Sequence, residues 1–147
     1  MAKKARGAAD GKQVFLINNW EKLDWYNQHF NPALIQEYVA PAKELRVIVL
    51  NFHTAFGYRR NVNRGDFMDS LRREGTWKTD DVDTEGVELA KIIARDAGLS
   101  DVAVDMVFDG SRYWVLELNF LCDETDSRQA EPDRTQLIIE MIEKGEL

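Results

Sequence analysis

Apolar residues along this chain follow two different periods, and the changes of period mark its elements. "QVFLIN" (13–18) reads as a short strand, and "NNWEKLDWYNQHF" (18–30) carries Trp20, Leu23, Tyr26 or Asn27, and Phe30 at helical spacing. Asn18 or Asn19 offers an N-cap oxygen to that helix, and Asn31-Pro32 stops it. "ALIQEYV" (33–39), "ELRVIVLN" (44–51) and "TAFGYRR" (54–60) read as three strands, the last two as a hairpin over "FH". The polar stretch 61–81 is long for a connection, so function or mobility is expected there. A helix follows at about 84–97, with Leu89, Ile92, Ile93 and Ala97 on one face and Gly98 as its stop.

The segment "VAVDMVFDGSRYWVLELNF" (102–120) is the most strand-like of the chain and reads as a hairpin. Beyond a polar loop, "DRTQLIIEMIEKG" predicts a last helix with Leu137, Ile138, Met141 and Ile142 facing inward. The order β-α-β-β-β-α-β-β-α implies an α+β fold, a mainly antiparallel sheet with helices packed on one face. Residues 1–12 are read as a flexible basic tail or a degraded loop, and 13–147 as one domain.

Composition narrows the function classes. A 147-residue chain with 44% hydrophobic residues can bury one core. Its net charge of −7 and sequence pI of about 4.9 argue against general affinity for nucleic acid or anionic lipid. A single cysteine, Cys122, excludes an internal disulfide and fits a reducing compartment. The opening "MAKKARGAADGK" has no apolar run behind its charges and no stretch is as long as a membrane span, so the expected location is the cytoplasm. His53, beside the "FH" turn, is expected to be exposed or capping, and Cys122 a small hydrophobe.

Three polar residues interrupt the 102–120 hairpin: Asp105, Glu117 and Asn119. With a turn at Asp109-Gly110-Ser111, Phe108 pairs with Arg112 and Asp105 lies opposite Val115. Glu117 is then its diagonal neighbour about 7–8 Å away, and Asn119 shares that face. Two carboxylates so placed repel unless something positive lies between them. Hard oxygen ligands without His or Cys favour Mg²⁺ or Mn²⁺, and magnesium commonly completes its shell with phosphate oxygens. The competing reading is a solvated face bearing alternating acids, and antiparallel patterning alone favours it.

In ordered motifs over nearly its whole length the chain resembles the ATP-grasp ligases, closest to the ribosomal-protein glutamate ligases and glutathione synthetases. "VDMVFDGSRYWVLELN" resembles their metal-binding segment, with Asp105 and Glu117 twelve residues apart. "LIQEYV" is similar to the adenine hinge, "ELR" to the Asp-x-Arg that meets the ribose, and "YRRNVNRGDFMDSLRREG" to the segment approaching the phosphates. The resemblance implies a C-terminal, ATP-binding ATP-grasp portion without the N-terminal preATP-grasp domain.

It further implies ATP with Mg²⁺ or Mn²⁺, metal ligands Asp105, Glu117 and Asn119, and an adenine contact at Glu37, Tyr38 and Val39. Glu44 takes the ribose, Lys4 the phosphates, and Arg46 and Arg60 the phosphate or acyl-phosphate charge, with Arg59 and Arg60 matching paired family arginines. The implied reaction activates a carboxylate as an acylphosphate, which an amine then attacks. Its substrates are small-molecule or peptide carboxylates and amines. The chain departs from the pattern at Gln13, where the family has glycine in its lid, and at Met68 and Ser70, where relatives carry Arg and Asn. "NFLC" also replaces Asn-x-x-Pro-Gly. These departures keep open a second reading, a catalytically degenerate binding or regulatory protein working through a partner chain, with self-association through an uncovered sheet face also expected.

Overall fold

The computed structural model describes residues 1–4, 14–61, 78–79, 81–120 and 134–146, setting aside the side chains of Lys4, Ala33, Arg60 and Asn61. The chain forms two compact units, Met1–Ala40 with Val62–Gly75, and Pro41–Asn61 with Thr76–Leu147.

The first unit holds β1 (Ala2–Lys4), β2 (Val14–Phe15), α1 (Trp20–His29) and β3 (Ala33–Ile35), its antiparallel sheet ordered β2-β1-β3. β1 is a strand that "AKK" does not announce, since it has no apolar alternation. Beyond β3 the ladder gains one more step, where the Gln36 N–H donates to the Met1 carbonyl at 2.9 Å. Asn19 caps α1 by accepting from the Lys22 N–H at 2.8 Å. Tyr26 is fully buried, its hydroxyl donating to the Lys3 carbonyl. Phe15 of β2 meets Trp25, Tyr26 and Phe30 at 5.4–5.7 Å between ring centroids. Trp20, expected on the inward stripe, opens the helix and is 80% exposed.

The second unit holds β4 (Lys43–Leu50), β5 (Thr54–Asn61), α2 (Thr84–Ala97), β6 (Asp101–Phe108), β7 (Tyr113–Asn119) and α3 (Arg134–Lys144). Its antiparallel sheet is ordered β5-β4-β6-β7. On one face Leu45, Val47, Val49, Val102, Val104 and Met106 form a core with Ala90 and Ala94 of α2. α2 presents small residues here because it comes close. A Cβ on Gly86 would lie 2.3 Å from a Leu45 methyl and 3.0 Å from the Tyr113 ring. That close stripe leaves Ile92, expected to face inward, exposed at the side. Asp83 fixes the start of α2, accepting from the Glu85 N–H at 3.0 Å and from the Tyr113 hydroxyl at 3.0 Å. Burial, and then Asp83, push the Tyr113 phenol well above its ordinary pKa. Gly98, at φ 68°, ends the helix in the left-handed region.

On the opposite face Ile48, Leu50, Tyr58 and Ala103 pack against Met141, Leu137 and Ile138 of α3. The α+β class and the antiparallel pairing are as expected, but the helices of this unit divide between the two faces instead of sharing one. The physical reason is the unbroken apolar run Val47–Leu50, which no single covered face could bury. Ile142, expected inward, lies on the outer flank of α3. No helix among the described residues is long and apolar enough to cross a membrane.

Because the gap between α2 and the sheet is filled, Gly86→Val should lower unfolding free energy by about 1–3 kcal/mol through overpacking. Urea denaturation followed by circular dichroism measures it, and an unchanged midpoint would contradict the close approach.

Candidate functional site

The polar end of the α3-bearing face is built by register. Reading across the sheet, Tyr58 of β5 pairs with Arg46 of β4, Arg46 with Asp105 of β6, and Asp105 with Glu117 of β7. The next row toward α3 is Phe56, Ile48, Ala103 and Asn119, so Asn119 shares the face with both acids. The row on the other side holds Arg60, Glu44, Val107 and Trp114.

The 102–120 hairpin reaches this arrangement by a different route from the one the sequence suggests. Phe108 pairs with Tyr113, not Arg112, so the turn is one residue longer. Asp109 holds that turn. Its carboxylate accepts from the Ser111 N–H (2.7 Å) and hydroxyl (2.8 Å), the Arg112 N–H (3.0 Å) and the Trp114 indole N–H (2.6 Å). These bonds, that from Trp114 foremost, keep the Asp109 carboxyl far below the usual carboxylate range. The Arg112 guanidinium lies 4.0 Å from the Trp114 ring centroid.

A bulge between Asp105 and Met106 then adds a second one-residue offset. One slip would turn every side chain of β7 to the wrong face; two restore it. Asp105 therefore faces Glu117 directly, a correction to the diagonal placement opposite Val115.

Asp105 and Arg46 form the centre of the row. Arg46 Nε donates to Asp105 Oδ1 at 2.6 Å and Nη2 to Oδ2 at 2.9 Å, a two-pronged pair whose side chains are 12% and 16% exposed. Asn119 Nδ2 donates to Asp105 Oδ2 at 2.7 Å and to Glu117 Oε1 at 3.2 Å. Burial pushes the Asp105 carboxyl up; the Arg46 bonds and charge pull it down, and the nearby Glu117 charge adds to the rise. The expected convergence of Asp105, Glu117 and Asn119 is thus present, with Arg46 as the positive group beside the acids.

Among the described residues no group of three His, Cys, Asp or Glu side chains could hold a metal. A divalent ion here would rest on two carboxylates and one amide oxygen. That hard-oxygen set fits Mg²⁺ or Mn²⁺ provided Asn119 turns its Oδ1 toward the ion.

The other expected site residues fall in different places. Glu44 is half-buried on the same face, in backbone register with Arg60, whose side chain lies outside the described part. Arg59 points the opposite way, as adjacent strand residues must. It lies 3.8 Å from the Asp81 carboxylate and bridges to Lys78 through its backbone. Glu37, Tyr38 and Val39 belong to the first unit, past β3, with Glu37 and Tyr38 exposed and Val39 half-buried. Lys4 closes β1 opposite Ala33, its side chain also undescribed. Gln13, Met68, Ser70 and Cys122 lie outside the described residues. His53 is exposed in the β4–β5 turn. Trp114, read from sequence as core or loop packing, lies on the site face, as does Tyr58, which sequence did not single out although it stands two residues before Arg60 and must share its face.

This α+β scaffold is shared with solved ATP-grasp ligases. Macrocyclase MdnC from Microcystis aeruginosa MRC, bound with precursor peptide MdnA, superposes with a TM-score of 0.67 at 23% identity, over 95% of this chain and 46% of that one. The ATP-grasp ligase PsnB, complexed with a phosphomimetic variant of its minimal precursor, Mg and ADP, gives 0.67 at 18% identity, over 95% and 44%. The RimK-like ATP-grasp domain model matches residues 2–143, and the chain belongs to that family. It is 29% identical over 99 residues to a probable alpha-L-glutamate ligase of Aeromonas salmonicida (strain A449), covering 66% of this chain and 33% of that protein. The chain thus spans a third of that relative and under half of either solved structure.

The Arg46–Asp105 pair should be coupled. In metal-free buffer, a double-mutant cycle of Arg46→Gln and Asp105→Asn, read by chemical denaturation, should give about 1.5–3 kcal/mol. Additive effects would show that the fork contributes nothing to stability.

Proposed function

We propose that this chain provides the nucleotide- and metal-binding part of an ATP-dependent carboxylate–amine ligase. The observation carrying the proposal is the gathering of Asp105, Glu117 and Asn119 beside Arg46 on one sheet face, in a chain whose family match spans residues 2–143. A substrate carboxylate oxygen attacks the γ-phosphorus of ATP and ADP leaves. An amine nitrogen then attacks the acylphosphate carbon, loses its proton and expels phosphate, leaving an amide. Asp105, Glu117 and Asn119 would hold Mg²⁺, whose charge would supply neutralisation of the phosphate oxygens. Arg60 and Arg46 are the residues assigned to the phosphate or acyl-phosphate charge, Glu44 to the ribose hydroxyls and Lys4 to phosphate. The backbone of Glu37, Tyr38 and Val39 reads the adenine edge.

A peptide carboxylate or amine is the favoured substrate class. Support comes from the glutamate ligase relative and from neighbours solved with precursor peptides. The cytoplasm is the proposed location, and the net charge of −7 favours neither nucleic acid nor membrane as partner. Self-association or a partner chain belongs to the same proposal.

One observation favours the degenerate alternative: in this structure the Asp105 oxygens already accept from Arg46 and Asn119, so Asp105 is paired without an ion. Thermal melting separates binding from its absence. ADP with Mg²⁺ at a hundredfold excess over Kd should add about 2.7 kcal/mol of stability. Glu117→Gln should remove the Mg²⁺-dependent part. A melting point unmoved by ADP and Mg²⁺ would end the nucleotide-site proposal, and binding without amine-dependent ADP release would favour the degenerate form.

A further inference from the structure

Arg46 is engaged by Asp105 through both prongs of its guanidinium, and that bonding fixes how Asp105 can act. A carboxylate has about four lone-pair positions, two on each oxygen. Arg46 Nε takes one position on Oδ1 and Nη2 one on Oδ2, and Asn119 Nδ2 also donates to Oδ2; when Asn119 turns its Oδ1 to an ion that last donor withdraws and the fork alone holds Asp105. The fork also fixes the carboxylate plane, because its two parallel donors allow neither rotation nor slippage. Tyr58, 3% exposed and paired with Arg46 across the strands, closes the side of the row away from Asp105.

We propose that Arg46 is a positioning residue for the metal ligand Asp105, not a contact to the phosphates. It takes one lone pair of each Asp105 oxygen and fixes the carboxylate plane, so that Asp105 meets the ion in a set orientation while the fork stays in place. This rests on the reading of Asp105, Glu117 and Asn119 as metal ligands and replaces the phosphate role for Arg46 within it.

The discriminating variant is Arg46→Lys, which keeps the charge but loses the planar fork. Mn²⁺ binding is read by electron paramagnetic resonance, and ADP binding by calorimetry in EDTA, with thermal melting confirming the fold of the variant. The expected result is a 10–100-fold weaker Mn²⁺ affinity, the usual effect of losing a group that orients a ligand. Metal-free ADP affinity should change less than twofold. Unchanged Mn²⁺ affinity with weakened ADP binding would overturn the proposal and restore the phosphate role. Wild-type protein that binds no Mn²⁺ but binds ADP would instead remove the metal-ligand reading itself.

A second measurement needs no variant. In the wild-type protein the Arg46 Nε–H resonance should stay protected from solvent exchange when Mg²⁺ and then ADP are added. Loss of that protection on ADP arrival would mean that the fork leaves Asp105, which also overturns the proposal.

Discussion

The Arg46–Asp105 fork is the interaction on which the polar face depends. A carboxylate in the second row of a covered sheet is driven toward its neutral form by desolvation, and a second acid directly across the strand adds to that pressure. A fixed guanidinium at 2.6 and 2.9 Å opposes both effects, though burial keeps the carboxyl above its ordinary pKa, and sets the orientation of the acid. Asn119 completes the set by bridging the two carboxylates with one amide nitrogen. Without a cation on that row, β6 and β7 would bring like charges together with only the neutral Asn119 amide between them.

The rest of the second unit serves this placement. α2 packs tightly on the far face through Gly86, Ala90 and Ala94. α3 covers the apolar half of the near face and leaves its other half to the polar rows. The Asp109 turn and the adjacent bulge set the offsets that bring Glu117 opposite Asp105. Stability and site geometry thus come from the same strands: odd positions of β4 make one core, and even positions pass from Glu44 and Arg46 to Ile48 and Leu50.

Much of this was legible in the sequence because period and punctuation are local. The helices 20–29, 84–97 and 134–144, the β4–β5 hairpin and the shared face of Glu117 and Asn119 on β7 all follow from spacing. The turn length and the bulge did not, yet their one-residue errors cancelled in parity and the face came out right. β1 was hidden because three residues of "AKK" gain their strand character only from partners distant in sequence. The division of helices between faces was written in "VIVL", whose continuous apolar run signals two covered faces. The fork could not be read at all: Arg46 and Asp105 are 59 residues apart, and only the β4–β6 register brings them together.

The central claim is that this face receives a divalent ion at Asp105, Glu117 and Asn119. Paramagnetic broadening by substoichiometric Mn²⁺, mapped on backbone amide resonances, tests it most directly. The account predicts that amides of Asp105, Glu117, Asn119 and Arg46 vanish first, while those of α2 and the Asp109 turn persist. Uniform broadening, or loss confined to acids elsewhere on the surface, would contradict it.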